Sequence, residues 1–150
     1  MNYWLMKTEP DEFSIDDLKR KKSEPWSGVR NYQARNYMRD GMRKGDGVLF
    51  YHSSCEVPGV AGIAEVATPA YPDPTQFDPQ SDYFDAGSSR DAPRWLLVDV
   101  KYKRKLKRVI TLSELKGTKE LKDMVLLRPG NRLSVSPVTK QEWDYILSLE

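Results

Sequence analysis

Two short segments, KGDGVLFYHS and VAGIAEVAT, constrain the fold more than any other part of the chain. The strand read from Val48 to Ser53 is apolar at successive positions rather than alternate ones, so both of its faces need cover. The second, residues 60–68, carries Ala61, Gly62 and Ala64, whose small side chains let neighbouring backbones come close. WLLVDVKY supplies a long third strand, and Tyr3 to Lys7 a short one at the start. RLSVSPV supplies another, whose Pro137 suits a strand end or a sheet edge. Short strands covered on both faces, separated by helices, predict a small closed or nearly closed sheet with helices outside it.

Three helix starts are marked by the same local device. Ser14 precedes Asp17 by three residues, Thr111 precedes Glu114, and Thr139 precedes Glu142. Each is a capping-box spacing, in which a hydroxyl and a carboxylate satisfy backbone N–H groups reciprocally. Each is flanked by an apolar pair placed as a hydrophobic staple: Phe13 with Leu18, Ile110 with Leu115, Val138 with Trp143. The last helix, TKQEWDYILSLE, puts Trp143, Ile146 and Leu147 on one face, which predicts that it covers the sheet.

At 150 residues the chain suits a single domain, 1–150. No apolar run approaches the roughly 18 residues of a membrane span. The N-terminal residues are too short and polar a stretch for a secretory signal. A lone Cys55 excludes an internal disulfide, and with a single His52 it makes a His/Cys metal cluster implausible. The expected compartment is the reducing cytoplasm, with no membrane partner. Net charge is only +2, but its distribution is uneven. KYKRKLKR, residues 101–108, holds six basic residues and no acid, and KRKK at 19–22 adds four more. As a continued strand, the first segment places Lys101, Lys103, Lys105 and Lys107 on one face, and Tyr102, Arg104, Leu106 and Arg108 on the other. It reads either as an edge strand whose lysines block aggregation or as a phosphate-binding face.

Residues 69–94, with five prolines, four aromatics and no period, are too long for an idle connection. Tyr71, Phe77, Tyr83 and Phe84 predict that this loop is packed and ordered. Enzyme signals are weak. His52-Ser53-Ser54-Cys55 contains nucleophiles and a base, but adjacent strand residues point to opposite faces, and nothing marks a remote partner for a triad. Asp16-Asp17 is explained as helix N-terminal charge. The glycines of GVAGIAEV do not fit a phosphate loop.

WSGVRNYQARN, residues 26–36, carries the chemistry most suggestive of a ligand. Asn31 is read as the N-cap, and Gly41 as the stop, of a helix from Tyr32 to Asp40. Ala34, Tyr37 and Met38 form its buried stripe, with Arg35 and Arg39 toward solvent. That leaves Trp26, Ser27, Gly28, Arg30 and Asn31 at the helix entrance, where free N–H groups favour acceptors and anions. An unstacked nucleobase needs such a set: an aromatic plane, amides for its edge, and cations for the flanking phosphates. A core tryptophan beside a capped, arginine-rich surface helix is the alternative reading of the same residues.

MNYWLMKTEP, WSGVRNYQARN, KGDGVLFYHS, GVAGIAEV, YPDPTQFDP, SSRDAPRWLLVDV and RLSVSPV, in this order, resemble the EVE domain family over essentially the whole chain. The resemblance implies an α+β fold, a PUA-like mixed-sheet pseudobarrel with peripheral helices, related to the YTH readers of methylated RNA and the SRA readers of methylated DNA. The chain looks like a bacterial stand-alone member. The implied role is non-catalytic, without cofactor or metal: binding nucleic acid by taking in a flipped, modified base, modified cytosine in DNA before RNA, in an aromatic cage. A partner nuclease is a family-level expectation only. Carried over residue by residue, Trp26 is a cage wall, with polar contacts from Ser27 and Asn31. Thr8 lies beside the pocket, one face of Tyr51, His52 and Ser53 completes it, and Trp95 is a candidate second wall. Lys7, Arg30, Arg35, Arg39, Lys103, Lys105 and Arg132 are the candidates for phosphate contact. The rival readings are a binder of a modified nucleoside in tRNA or rRNA, a nucleotide-processing enzyme acting through Glu9 or His52, and a pocket for a small molecule.

Overall fold

The computed structural model describes residues 1–150. In chain order the elements are β1 (Tyr3–Thr8), α1 (Ile15–Lys21), β2 (Ser23–Pro25), α2 (Tyr32–Asn36), β3 (Gly47–His52), β4 (Gly59–Val66), β5 (Tyr71–Pro72), β6 (Leu96–Leu97), β7 (Asp99–Thr111), α3 (Leu112–Lys116), β8 (Val135–Val138) and α4 (Lys140–Ser148). Six strands form one mixed sheet in the order β2-β7-β4-β3-β1-β8. Only β1 and β3 run parallel; every other pair is antiparallel. This is the α+β pseudobarrel expected. It stops short of closure, because β2 and β8 are free edges. Both edges carry a proline, Pro25 and Pro137, at positions where a missing N–H costs no ladder bond to a further strand.

The doubly apolar strands account for the cover on both faces. Trp4, Met6, Val48 and Phe50 point into one buried cluster with Trp26, Val100 and Val135. Leu5, Leu49 and Tyr51 point into the other, with Ile110, Leu115 and Ile146. Because Trp26 (after β2) and Val135 (in β8) share one cluster, the two sheet edges curl toward each other. Two of the three helix starts close complete capping boxes, at Ser14 with Asp17 and Thr139 with Glu142. At the third, Thr111 accepts the Glu114 amide, but the Glu114 carboxylate turns instead to Arg108. Ion pairing there outcompetes a second cap bond.

Two local expectations change. The α-helix begun by Asn31 ends at Asn36 and continues as a wider π turn, Tyr37–Gly41. Gly41 lies against the Trp4 indole, where an added Cβ would sit 2.6 Å from the ring, so the wider turn fits the chain around a large side chain. In β7 the pairing with β4 slips twice, between Val60 and Gly62 and between Ile63 and Ala64. The simple two-face alternation of its lysines and arginines is therefore lost.

The long loop is held by buried hydrogen bonds rather than by packing of its aromatics, since Tyr71, Tyr83 and Phe84 are exposed. Gln76, fully buried, donates to the carbonyls of Asp73 and Trp95 and accepts from the Trp95 amide and the Ser88 hydroxyl. Asp73, also fully buried, accepts from the amides of Gly28 and Thr75 and from the Thr75 hydroxyl. It further accepts from Arg30, whose guanidinium also donates to Thr75 Oγ1 and to the carbonyls of Val29 and Tyr83. This one side chain ties the loop to the segment after β2.

Asp73→Ala leaves the Arg30 charge largely covered and without its counterion, so urea unfolding should show a loss of about 3 kcal/mol, the lower end for a broken buried pair. His52 Nε2 accepts the Ile15 amide at 3.1 Å, which requires a neutral ring, and burial pushes its pKa below the ordinary value. Since the unfolded chain then binds the proton first, His52's contribution to stability is complete above about pH 6.5 and falls as pH drops through the folded value. An NMR titration of this sole histidine should show Nε2 unprotonated at pH 7 and a midpoint below 6.5.

Candidate nucleic-acid interface

Where the sheet fails to close, a cavity of about 290 Å³ opens between β2 and the β1–β8 pair. Its size is at the small end for ligand pockets, which run to about 300–1,000 Å³. β1 contributes Lys7 and Thr8, and the turn before α1 contributes Glu12 and Phe13. β2 and the residues after it contribute Glu24 to Arg30; Tyr83 comes from the long loop, and Ser134 from just before β8.

Trp26 is the inner wall. It is only 8% exposed and belongs to the core cluster, held edge-on by Phe13 at 6.5 Å and Phe50 at 5.6 Å. The indole packs in the core, and a margin of it faces the cavity. Tyr83 is the outer wall, 41% exposed. Its ring lies against the Gly28 backbone, where an added Cβ would come within 2.7 Å of it, and Gly28 has φ +89°. Only glycine suits both the left-handed backbone and the contact. Behind Tyr83 the Arg30 guanidinium lies 5.5 Å from its ring and 5.4 Å from the Trp95 ring, within cation–π range.

The charges are mixed. Lys7 is half-buried, and burial pushes its pKa down; its ammonium also lies 6.0 Å from the Tyr51 ring. Glu12 and Glu24 bring carboxylates to the same cavity, Glu24 being paired with Lys21. An interior ringed by cations alone is not what these residues make.

Of the residues marked in the sequence, Lys7, Thr8, Trp26, Ser27 and Arg30 come together here. Arg30 lines the cavity but its donors are taken by the loop, so a phosphate contact from it would have to displace Asp73, Thr75 or a carbonyl. Thr8 Oγ1 donates to the Phe13 carbonyl. The others lie elsewhere. Asn31 caps α2 through the Ala34 amide and faces a neighbouring cleft. Tyr51 is buried on the opposite side of the sheet. His52 packs on Phe50, and the Ser53 amide bonds the Thr8 carbonyl. Trp95 is buried behind Arg30, its Nε1 donating to Asp85 at 2.7 Å. Arg35 lies over Tyr32 and donates to the Arg94 carbonyl, and Arg39 pairs with Asp40. In β7, Lys101 and Lys103 pair with Glu65, Arg104 with Glu150, Lys105 with Asp16 and Arg108 with Glu114. That basic run is largely neutralised by its own neighbours. Arg132 lines the neighbouring cleft.

Tyr83, Phe13, Glu12, Glu24, Val29 and Ser134 also line the cavity, although no sequence motif marks them for it. Tyr83 is legible as a loop aromatic and Phe13 as a staple residue, but nothing local indicates that they line one cavity.

Human thymocyte nuclear protein 1 is 44% identical over 168 aligned positions, covering 99% of this chain and 74% of that protein. A crystal structure of a Pseudomonas syringae protein superposes with a TM-score of 0.95 at 50% identity, covering 98% of each chain. The structure of human thymocyte nuclear protein 1 in complex with 5-methylcytosine-containing DNA matches with a TM-score of 0.94 at 43% identity, covering 99% of this chain and 97% of that one. The EVE domain model matches residues 2–149, and the chain belongs to the EVE domain family.

Proposed function

We propose that the chain is a non-catalytic nucleic-acid-binding module that takes one modified base, a methylated cytosine in DNA, into the cavity between Trp26 and Tyr83. The observation that carries this reading is an open, aromatic-walled cavity on a scaffold whose human relative has been solved with 5-methylcytosine-containing DNA. The cavity's own chemistry agrees with a base rather than a phosphate as the occupant. Glu12 and Glu24 disfavour an anion inside, whereas a carboxylate is a suitable acceptor for the exocyclic amine of cytosine. The hydroxyls of Ser27 and Ser134 offer further hydrogen bonds to a base edge.

Extruding a base costs a few kcal/mol, and stacking on one aromatic returns about 1–3 kcal/mol. Trp26 has little exposed surface left to contribute, so the exposed ring of Tyr83 carries much of the stacking. A methyl group fitted against an apolar margin such as Phe13 or Val29 adds about 0.8 kcal/mol, or roughly fourfold. Preference for the modified base is thus modest by construction.

Fluorescence anisotropy with short oligonucleotides at stated salt tests the reading. DNA containing 5-methylcytosine should bind about fourfold more tightly than the unmodified strand, and more tightly than RNA with the same base. Tyr83→Ala removes the ring but keeps the carbonyl that Arg30 uses, so it should fold normally and lose roughly five- to hundredfold in affinity. Wild-type affinity and preference in that variant would refute the cavity assignment. Oligonucleotide recovered after prolonged incubation should have unchanged mass; a product would overturn the non-catalytic role.

A further inference from the structure

The basic run of β7 offers a nucleic-acid backbone only one unpaired cation, Lys107. Five of its six basic residues are engaged by carboxylates. Arg128 and Arg132, by contrast, enter none of the molecule's ion pairs, and both are exposed. They flank a tight turn: the Asn131 amide donates to the Arg128 carbonyl at 3.1 Å, and Gly130 has φ +76°. With Pro129 at the second position, this is the pattern of a type II turn, which holds Arg128 and Asn131 within about 7 Å. The turn is braced from within, since Asn131 Oδ1 accepts the Leu133 amide.

Both arginines line one cleft of about 430 Å³ beside α2. Arg128 also lines a second cleft, which it shares with Lys116 and Lys7. Lys7 is in turn a wall of the base cavity. Unpaired cations therefore run from the Arg132 side of the turn, past Arg128, to Lys7 at the end of β1, a residue that also borders that cavity. The chain itself makes the same connection, Leu133 lining the first cleft and Ser134 the base cavity.

We infer that the 128–132 turn is a phosphate-binding site, and that the backbone flanking the inserted base runs along it rather than along β7. This rests on the base-binding reading for its geometry, though not for its charge. Residues 128–134 extend at most about 20 Å, so the track accompanies only a few phosphates. Each phosphate neutralised adds about 0.9 to the slope of log affinity against log salt on duplex DNA, and about 0.7 on a single strand.

The test is a salt series on the full chain with a labelled 5-methylcytosine oligonucleotide and its unmodified counterpart, comparing R128A/R132A with K103A/K105A. All four positions are exposed, and circular dichroism checks that each variant folds. R128A/R132A should bind both oligonucleotides more weakly by the same factor and flatten the salt slope by about 1.4 to 1.8. Between 50 and 200 mM salt it should lose about tenfold less affinity than wild type does. K103A/K105A should stay within about twofold of wild type. An unchanged slope in R128A/R132A, or a larger change in K103A/K105A, overturns the inference while leaving any preference for the modified base intact. If wild type shows no such preference but R128A/R132A still flattens the slope, the base reading fails and the phosphate site stands. Absence of any wild-type binding overturns both.

Discussion

The guanidinium of Arg30 holds the outer half of the candidate site in place. Its donors reach Asp73, Thr75 and the carbonyls of Val29 and Tyr83, and its plane is flanked by the Tyr83 and Trp95 rings. The loop it restrains would otherwise carry a large conformational entropy cost for every residue ordered. A buried carboxylate such as Asp73 is tolerable only because each lone pair finds a donor. Arginine suits this position better than lysine, since a planar fork satisfies several acceptors at once while stacking on aromatics. Tyr83 stands at the cavity's mouth as a result of that arrangement, and glycine at position 28 provides the space for it.

What was legible in the sequence was what depends on neighbours along the chain. Ser14 and Thr139 announced their helices because capping uses amides two or three residues away. Strands apolar on both faces announced a sheet covered on both sides. The family resemblance added the pseudobarrel, which periodicity alone left as closed or nearly closed. What could not be read were pairings across long separations. Nothing near Arg30 indicates that Asp73, 43 residues on, will take it. Nothing in KYKRKLKR indicates that Glu65, Asp16, Glu150 and Glu114 will gather around it. A charge run read without its partners overstates the positive potential it produces. The shortened α2 is a similar case, since the Trp4 indole that shapes its exit lies far back in the chain.

The cavity's location follows from the sheet's topology. An edge strand as short as β2, ending in Pro25, cannot extend its pairing toward β8, and the gap is roofed by side chains instead of by hydrogen bonds. The apolar interior supplies the inner wall from Trp26, already positioned by Phe13 and Phe50, so little further ordering is required there on binding. The rim is assembled from exposed or half-exposed groups of both signs. A neutral, flat, hydrogen-bonding group is better matched to such an interior than an anion is, while the unpaired cations lie beside the cavity rather than within it.

The walls of this cavity come from positions 7–8, 12–13, 24–30, 83 and 134, so no fragment of the chain contains it. Contacts of such high sequence separation form late, after the costly loop closures are made, and the hollow is therefore a product of the finished domain. Occupancy acts on the native state alone, and mass action converts it into resistance to melting, by RT ln(1 + [L]/Kd). The cavity is built from segments spread along the folded chain, so that whatever fills the seam also tightens the molecule.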